Sequence, residues 1–273
     1  VDEKNAGRFI GGAGADSVRT HRDGVFLGGQ GPDSVDVLRN GLFDGGKGND
    51  SAGRQYNGYF IGGDGHDSLA FLHNGTFSGG LHDDRITEAH YQGMFAAGPG
   101  NDFSAAQTGG TTRGGAGFDR VEQMSGDAVF NGGPLRDTVV GLRGNASFRG
   151  NKGNDVVEDQ LGESARFFVG PGHDAVERMT DRARFEGGDD RDAVAWLGRY
   201  SMKQAAILLH PRRQGSKSAH PSFIGEGERN GAAGQDAGLD GGLGGGGRVF
   251  DAGLLLFHLD LGGSADLDLR DAA

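Results

Sequence analysis

Aspartate recurs along this chain at a nearly fixed interval: Asp16, Asp33, Asp50, Asp67, Asp84, Asp102, Asp119, Asp137, Asp155, Asp174 and Asp192. The intervals are four of 17 residues, then 18, 17, 18, 18, 19 and 18. Seven residues before each aspartate stands a phenylalanine (Phe9, Phe26, Phe43, Phe60, Phe77, Phe95, Phe130, Phe148, Phe167, Phe185), and only Thr112 breaks that column. Two residues after each comes a mostly aliphatic column: Val18, Val35, Ala52, Leu69, Ile86, Ser104, Val121, Val139, Val157, Val176 and Val194. Each unit thus reads Phe-x-Gly-Gly-x-Gly-x-Asp-x-Val, a variable stretch and a second turn. Two short apolar-centred segments and two tight turns per period describe one coil of a solenoid. Helical repeats need longer units, with apolar positions three and four apart. The expected fold is all-β, a parallel β-roll or β-solenoid of about eleven coils with Phe and Val columns buried as two thin seams, strands stacking at about 4.7–4.9 Å.

The second turn carries Asp23-Gly24, Asn40-Gly41, Asn57-Gly58 and Asn74-Gly75 in the early coils. Such pairs suit tight turns with both central residues at positive φ. Later coils carry Ala128, Ala146, Ala165 and Ala183 instead, and the period lengthens, so an inserted residue is expected to move the positive φ back to Gly126 and Gly144. Five residues after the aspartates runs a third, partly apolar column: Leu38, Leu72, Met124, Leu142, Met179 and Leu197, with Gln55, Gln107 and Gln160 among them.

Composition narrows the possibilities further. With 56 glycines in 273 residues and only 35% apolar residues, a conventional globular core is out of reach. Glycine loses more backbone entropy on ordering than any other residue. The glycines follow no three-residue period, which excludes collagen. A net charge of −11 disfavours nucleic acid and anionic membranes and favours cations. Without cysteine there are neither disulfides nor thiolate metal sites. The most apolar run, Leu254 to Leu256 with Phe257, is too short for a membrane span. No signal peptide opens the chain, which starts at Val1 inside a repeat and is read as a fragment.

The first turn matches Gly-Gly-x-Gly-x-Asp at every fixed position in five coils, at 11–16, 28–33, 45–50, 62–67 and 114–119. Glycines let the backbone bend so that carbonyls point inward, and the aspartate adds a carboxylate. An all-oxygen shell of this kind suits Ca²⁺ better than Mg²⁺. Carboxylates stacked about 4.8 Å apart repel by roughly 3–4 kcal/mol per neighbour at an effective dielectric of 20, so the column calls for counter-ions. The array is expected to be largely disordered until calcium binds. Against this stands a metal-free solenoid in which the aspartate only caps the turn. Three loops lack the third glycine, with His82, Leu135 and Asp190 in its place, and their sites are expected to be weak or empty.

The motif resembles the nonapeptide of the RTX (repeats-in-toxin) family, Gly-Gly-x-Gly-x-Asp-x-aliphatic-x, over about residues 9–197. That resemblance implies a right-handed parallel β-roll with calcium between same-side loops of successive coils. It implies ligation by the eleven aspartates named above and by loop carbonyls such as those of Gly12, Gly14, Gly29, Gly31, Gly46, Gly48, Gly63, Gly65, Gly115 and Gly117. It also implies secretion, with the type I secretion machinery or surface glycans as partners and an extracellular location. Here only every second nonapeptide keeps the loop, so one column of calcium sites is implied rather than two.

No catalytic constellation is present: there is neither a His-Glu-x-x-His motif nor a Gly-x-Ser-x-Gly elbow. His66 and His173 stand where Asn49, Asn101 and Asn154 stand in other coils, and read as exposed loop residues rather than zinc ligands. The serines at 17, 34, 51 and 68 read as a solvated outward column, and Trp196 as closing the last coil. Three segments are expected: a repeat array over 1–199, a glycine-rich linker over 200–247, and a poorly structured tail over 248–273 that is a candidate secretion signal. The functional expectation is a non-enzymatic calcium-binding segment serving export, structure or adhesion. An accessory module of an extracellular protease, lipase or polysaccharide-modifying enzyme, and a metal-free adhesive solenoid, are the alternatives.

Overall fold

Two kinds of strand alternate along the backbone, as the columns require. The computed structural model describes residues 2–4, 6–180, 182–188, 190–197 and 206–208. Apart from the last of these, the segments expected over 200–247 and 248–273 lie outside the described residues. Strands centred on the phenylalanine column, from Gly7–Ala13, Gly24–Gln30 and Leu42–Lys47 to Arg184–Glu186 and Ala206–Leu208, form one 12-stranded parallel sheet. Strands centred on the aliphatic column, from Glu3–Lys4, Ser17–Arg22 and Ser34–Arg39 to Ala193–Leu197, form the other. Each strand pairs with its equivalent one coil away, so the chain is an all-β parallel solenoid of about eleven turns.

Register follows the period. Phe26, Phe43, Phe60 and Phe77 are direct partners, as are Val18, Val35, Ala52 and Leu69. The phenylalanines of this column from Phe26 to Phe185 are fully buried, and their rings stack nearly parallel at 4.6–4.9 Å from Phe26 to Phe95. Strand separation sets that spacing. The stack resumes at Phe130, 5.0 Å from Phe148. Between them Thr112 takes the slot, and beside it the aliphatic column holds Ser104. The hydrophobic core divides there into one cluster ending at Ala97 and another beginning at Val121.

The third seam is buried, but its membership differs from expectation. His21 and His90 belong to it, and Leu161 takes the position expected of Gln160. Register shifts between Ile86 and His90 and between Val157 and Leu161 absorb the residues that lengthen these coils. A fixed count of five from the aspartate reaches His21 but misses His90 and Leu161. The buried amides satisfy the turn: Gln55 Nε2 donates to the carbonyls of Gly58 (3.0 Å) and Thr76 (2.8 Å), and Gln107 Nε2 to those of Gly110 and Val129.

The second turns need one positive-φ residue each rather than the two expected. Asp23 (47°) and Asn40 (55°) supply it in the first coils, Gly58 and Gly75 in the next. Gly126 (61°) and Gly144 (68°) supply it later, as the lengthened period implied. Trp196 stands on the last strand of its sheet, 39% exposed, with the Arg178 guanidinium 5.9 Å from its ring centre.

Candidate functional site: a buried carboxylate column

The aspartates do form one column, and it faces inward. Asp33 and every later aspartate of the series is buried, with 0–3% of its surface exposed. Within the column each backbone N–H donates to Oδ1 of the aspartate one coil on. The ladder starts at Asp16 N–H to Asp33 Oδ1 (2.7 Å), passes through Asp67 to Asp84 (2.7 Å) and Asp102 to Asp119 (2.9 Å), and ends at Asp174 to Asp192 (3.1 Å). An outer ladder runs in the opposite sense. Asn49 Oδ1 accepts from His66 N–H, Asp83 Oδ1 from Asn101 N–H, and Asn154 Oδ1 from His173 N–H. His66 and His173 are accordingly exposed loop residues.

One carboxylate oxygen is thus accounted for and the other is not. Oδ2 of Asp33, Asp50, Asp67, Asp84, Asp102, Asp119, Asp137, Asp155 and Asp174 is buried without a hydrogen-bond partner. At Asp192 the Gly188 N–H fills that role at 2.9 Å. The first glycine of the loop makes room for the orphan oxygen. A Cβ on Gly28 would overlap both Asp33 Oδ2 and the carbonyl oxygen of Gly45, and one on Gly62 would overlap Asp67 Oδ2 and the Gly79 carbonyl. A carboxylate oxygen and a carbonyl oxygen, both acceptors, therefore flank the same space. This role of the first glycine escaped the sequence reading, which assigned the glycines to backbone bending; its signal was that Ala97 and Val169 are its only substitutes at this position.

The second and third glycines, whose carbonyls were expected as ligands, do bend the loop at positive φ: Gly12 107°, Gly14 100°, Gly29 115°, Gly31 110°, Gly46 104°, Gly48 123° and Gly115 113° among them. Their carbonyls point along the stack, since a Cβ on Gly29 would run into the Gly12 carbonyl oxygen and one on Gly31 into that of Gly14. Gly63 and Gly65 repeat this against Gly46 and Gly48, and Gly115 and Gly117 against Gly98 and Gly100. Two of the loops without a third glycine keep the same path: His82 (79°) and Leu135 (78°) adopt the left-handed region in its place.

Burial dominates the electrostatics of the column. It raises the carboxyl pKa to about 7 at Asp50, Asp84 and Asp174, about 8 at Asp137, and about 6 at Asp67 and Asp155, with neighbouring aspartates adding to the rise at Asp50, Asp84, Asp137 and Asp174. The N–H donated to each Oδ1 works against this shift. Asp102 and Asp119 are likewise raised by burial. Among the described residues no three His, Asp or Glu side chains converge on one point. A cation here would draw on carboxylates of adjacent coils together with main-chain carbonyls, the all-oxygen donor set that suits Ca²⁺.

Fold and column together define a parallel β-solenoid repeat protein with a single line of buried carboxylates. No family model, curated protein or solved structure matches this chain.

Proposed function

We propose that this chain is a calcium-stabilised β-roll segment of a secreted, RTX-like protein, folding when it meets calcium outside the cell and serving export, structural or adhesive roles. The supporting observation is the run of orphan Oδ2 atoms, each buried and several facing a main-chain carbonyl oxygen of the next coil. Leaving such groups unpaired costs about 1–3 kcal/mol each, more when they are charged. Calcium supplies positive charge and a flexible oxygen coordination sphere. The ligands would be the aspartate carboxylates and the first-position loop carbonyls that flank Oδ2, such as those of Gly45 and Gly79, with the carbonyls of the second and third glycines, which point along the stack, completing the shell between coils. The chain's own contribution is to hold these oxygens in register, keep them from bulk water and cap the loop N–H groups with Oδ1. A role as accessory module of an extracellular enzyme uses the same column and differs only in what the roll is joined to.

A second reading is a metal-free solenoid in which protons take the place of cations. The unbroken N–H to Oδ1 ladder favours it, because each aspartate already caps a turn without metal. Circular dichroism of the purified chain at pH 8, in excess chelator and again with millimolar calcium, separates the two, with metal analysis of the dialysed protein. Calcium-dependent gain of β structure and several bound equivalents support the first. A full β spectrum in chelator with no retained calcium sinks it.

A further inference from the structure

A separate column runs along the outer face of the second turn, and the carboxylate column leaves it unused. The Arg39 guanidinium lies 4.4 Å above the Tyr56 ring; Tyr56 stacks on His73 at 4.6 Å and 6°, and His73 on Tyr91 at 4.9 Å and 18°. Main-chain hydrogen bonds from Tyr56, His73, Tyr91 and Thr108 to the preceding coils keep these residues in register. At Thr108 the side chain shrinks, and Gly109 and Gly110 follow. The stack stops there and one face of Tyr91 stays bare. Tyr91 is 41% exposed and borders an open cleft of about 570 Å³ that runs along the flank of the stack, also lined by His73, Gln92, Thr108 and Asp127. Asn145 Nδ2 donates to Asp127 Oδ1 at 3.2 Å, which orients the carboxylate.

We propose that this cleft is a saccharide-binding site. One pyranose ring stacks on the free face of Tyr91, in the slot an aromatic residue at position 108 would fill, and its hydroxyls engage Asp127, Gln92 and Thr108. The mixture of groups selects the ligand. The carboxylate accepts, the amide both donates and accepts, and the hydroxyl does either. A ring of hydroxyls with one apolar face matches all three beside an aromatic plane. A guanidinium would stack as Arg39 does on Tyr56 but needs only the carboxylate. A wholly apolar ring would strip water from Asp127 without replacing it. An anionic ligand would meet Asp127 and a chain of net charge −11. The site is independent of whether calcium or protons occupy the aspartate column.

The test is saturation-transfer NMR on the full chain, in calcium and again in chelator at pH 5, with methyl α-mannopyranoside, methyl β-glucopyranoside and methyl β-galactopyranoside as probes, and arginine amide as the contrasting ligand. At least one glycoside is expected to bind through its ring C–H face, with a Kd near 1 mM as befits one exposed ring. Tyr91→Ala should weaken it roughly tenfold, the order of one lost aromatic stack. Thr108→Tyr continues the ring stack, so it should preserve the fold and abolish binding. Asp127→Asn lies outside the stack and gives a milder loss that does not depend on folding. No transfer to any glycoside, transfer undiminished in Thr108→Tyr with an unchanged dichroism spectrum, or binding of arginine amide alone would overturn the assignment.

Discussion

The backbone N–H of Asp50 donates to Oδ1 of Asp67 at 2.7 Å, while Oδ2 of Asp67 faces the Gly79 carbonyl with no donor between them. A single carboxylate thus serves two purposes. Oδ1 caps a turn of the preceding coil, and Oδ2 waits for a proton or a cation. The two purposes separate under mutation.

Asp67→Asn retains the Oδ1 acceptor and places an amide N–H opposite the Gly79 carbonyl. It should raise the melting temperature in chelator and lower the number of calcium ions bound. Asp67→Ala removes the cap as well and leaves the Asp50 N–H unpaired, costing about 1–3 kcal/mol. Melting followed by circular dichroism, with calcium titration of both variants, gives the comparison. A lower melting temperature for Asp67→Asn in chelator would contradict the proposed facing of the two acceptors.

The acidity of the column predicts an unusual pH profile. A carboxyl whose folded pKa is raised stays protonated in the native state at pH values where the unfolded chain has released its proton. Its stabilising contribution is complete below the unfolded value near 3.8 and is lost as pH rises through about 6 to 8. The calcium-free protein should therefore be more stable at pH 5 than at pH 8. Calcium should reverse that order, since it competes with protons for the same oxygens. His90 acts in the opposite direction. Burial lowers its pKa to about 4, so stability falls as pH drops from about 6.5 towards 4. His90→Leu, copying Leu72 one coil earlier, should steepen the rise in stability toward acid. Thermal melts in chelator across pH 4 to 8 test both signs.

Most of the architecture was legible because a period-17 column survives only if each residue type faces the same environment in every coil. The phenylalanine and aliphatic seams, the parallel pairing and the shift of positive φ to Gly126 and Gly144 follow from that regularity. The errors arose where the chain breaks it locally. A bulge before Leu161 moves the inward position by one residue, and the burial of His90 follows a similar insertion in its own coil. The column of aspartates was visible, but the direction of its side chains was not. In nine coils the residue five positions before the aspartate is glycine, and Gly28, for example, leaves the space that Asp33 Oδ2 fills, yet Asp102 and Asp174 are buried with Ala97 and Val169 there, so no single residue type marks the inward direction. The bare face of Tyr91 was hidden for another reason: it is defined by what Thr108 does not fill.

Loop strain gives a further test. Leu135 stands at φ 78°, a conformation that costs a branched side chain about 1–2 kcal/mol, whereas glycine pays only its extra entropy of about 0.5–1 kcal/mol. Leu135→Gly restores the complete motif and should raise the melting temperature slightly, with tighter calcium binding at that coil. Gly48→Ala works in reverse, because its Cβ would sit 2.6 Å from the Gly31 carbonyl oxygen. It should destabilise the roll at every calcium concentration. Equal calcium affinities in Leu135→Gly and the parent would show that loop shape, already kept by leucine, is what the cation requires.

The break in the core at Thr112 carries the largest structural consequence. Thr112 occupies a phenylalanine slot, with its hydroxyl 3.3 Å from His90 Nδ1, and the Ser104 hydroxyl beside it is buried without a partner. In a solenoid each coil is stabilised chiefly by its neighbours, so one poor interface divides the array into two cooperative units. The halves up to Ala97 and from Val121 should therefore melt as separable transitions, with hydrogen exchange fastest across the coil between them. Thr112→Phe combined with Ser104→Val rejoins the ring stack and the aliphatic seam. Burying the added apolar surface should contribute on the order of 2 kcal/mol, offset by about 1 kcal/mol for the lost hydrogen bond to His90. The double variant is expected to merge the two transitions into one and raise the lower melting temperature by several degrees. Calorimetry on both proteins decides the matter: a single transition in the parent chain would mean that main-chain hydrogen bonding alone carries cooperativity across the gap.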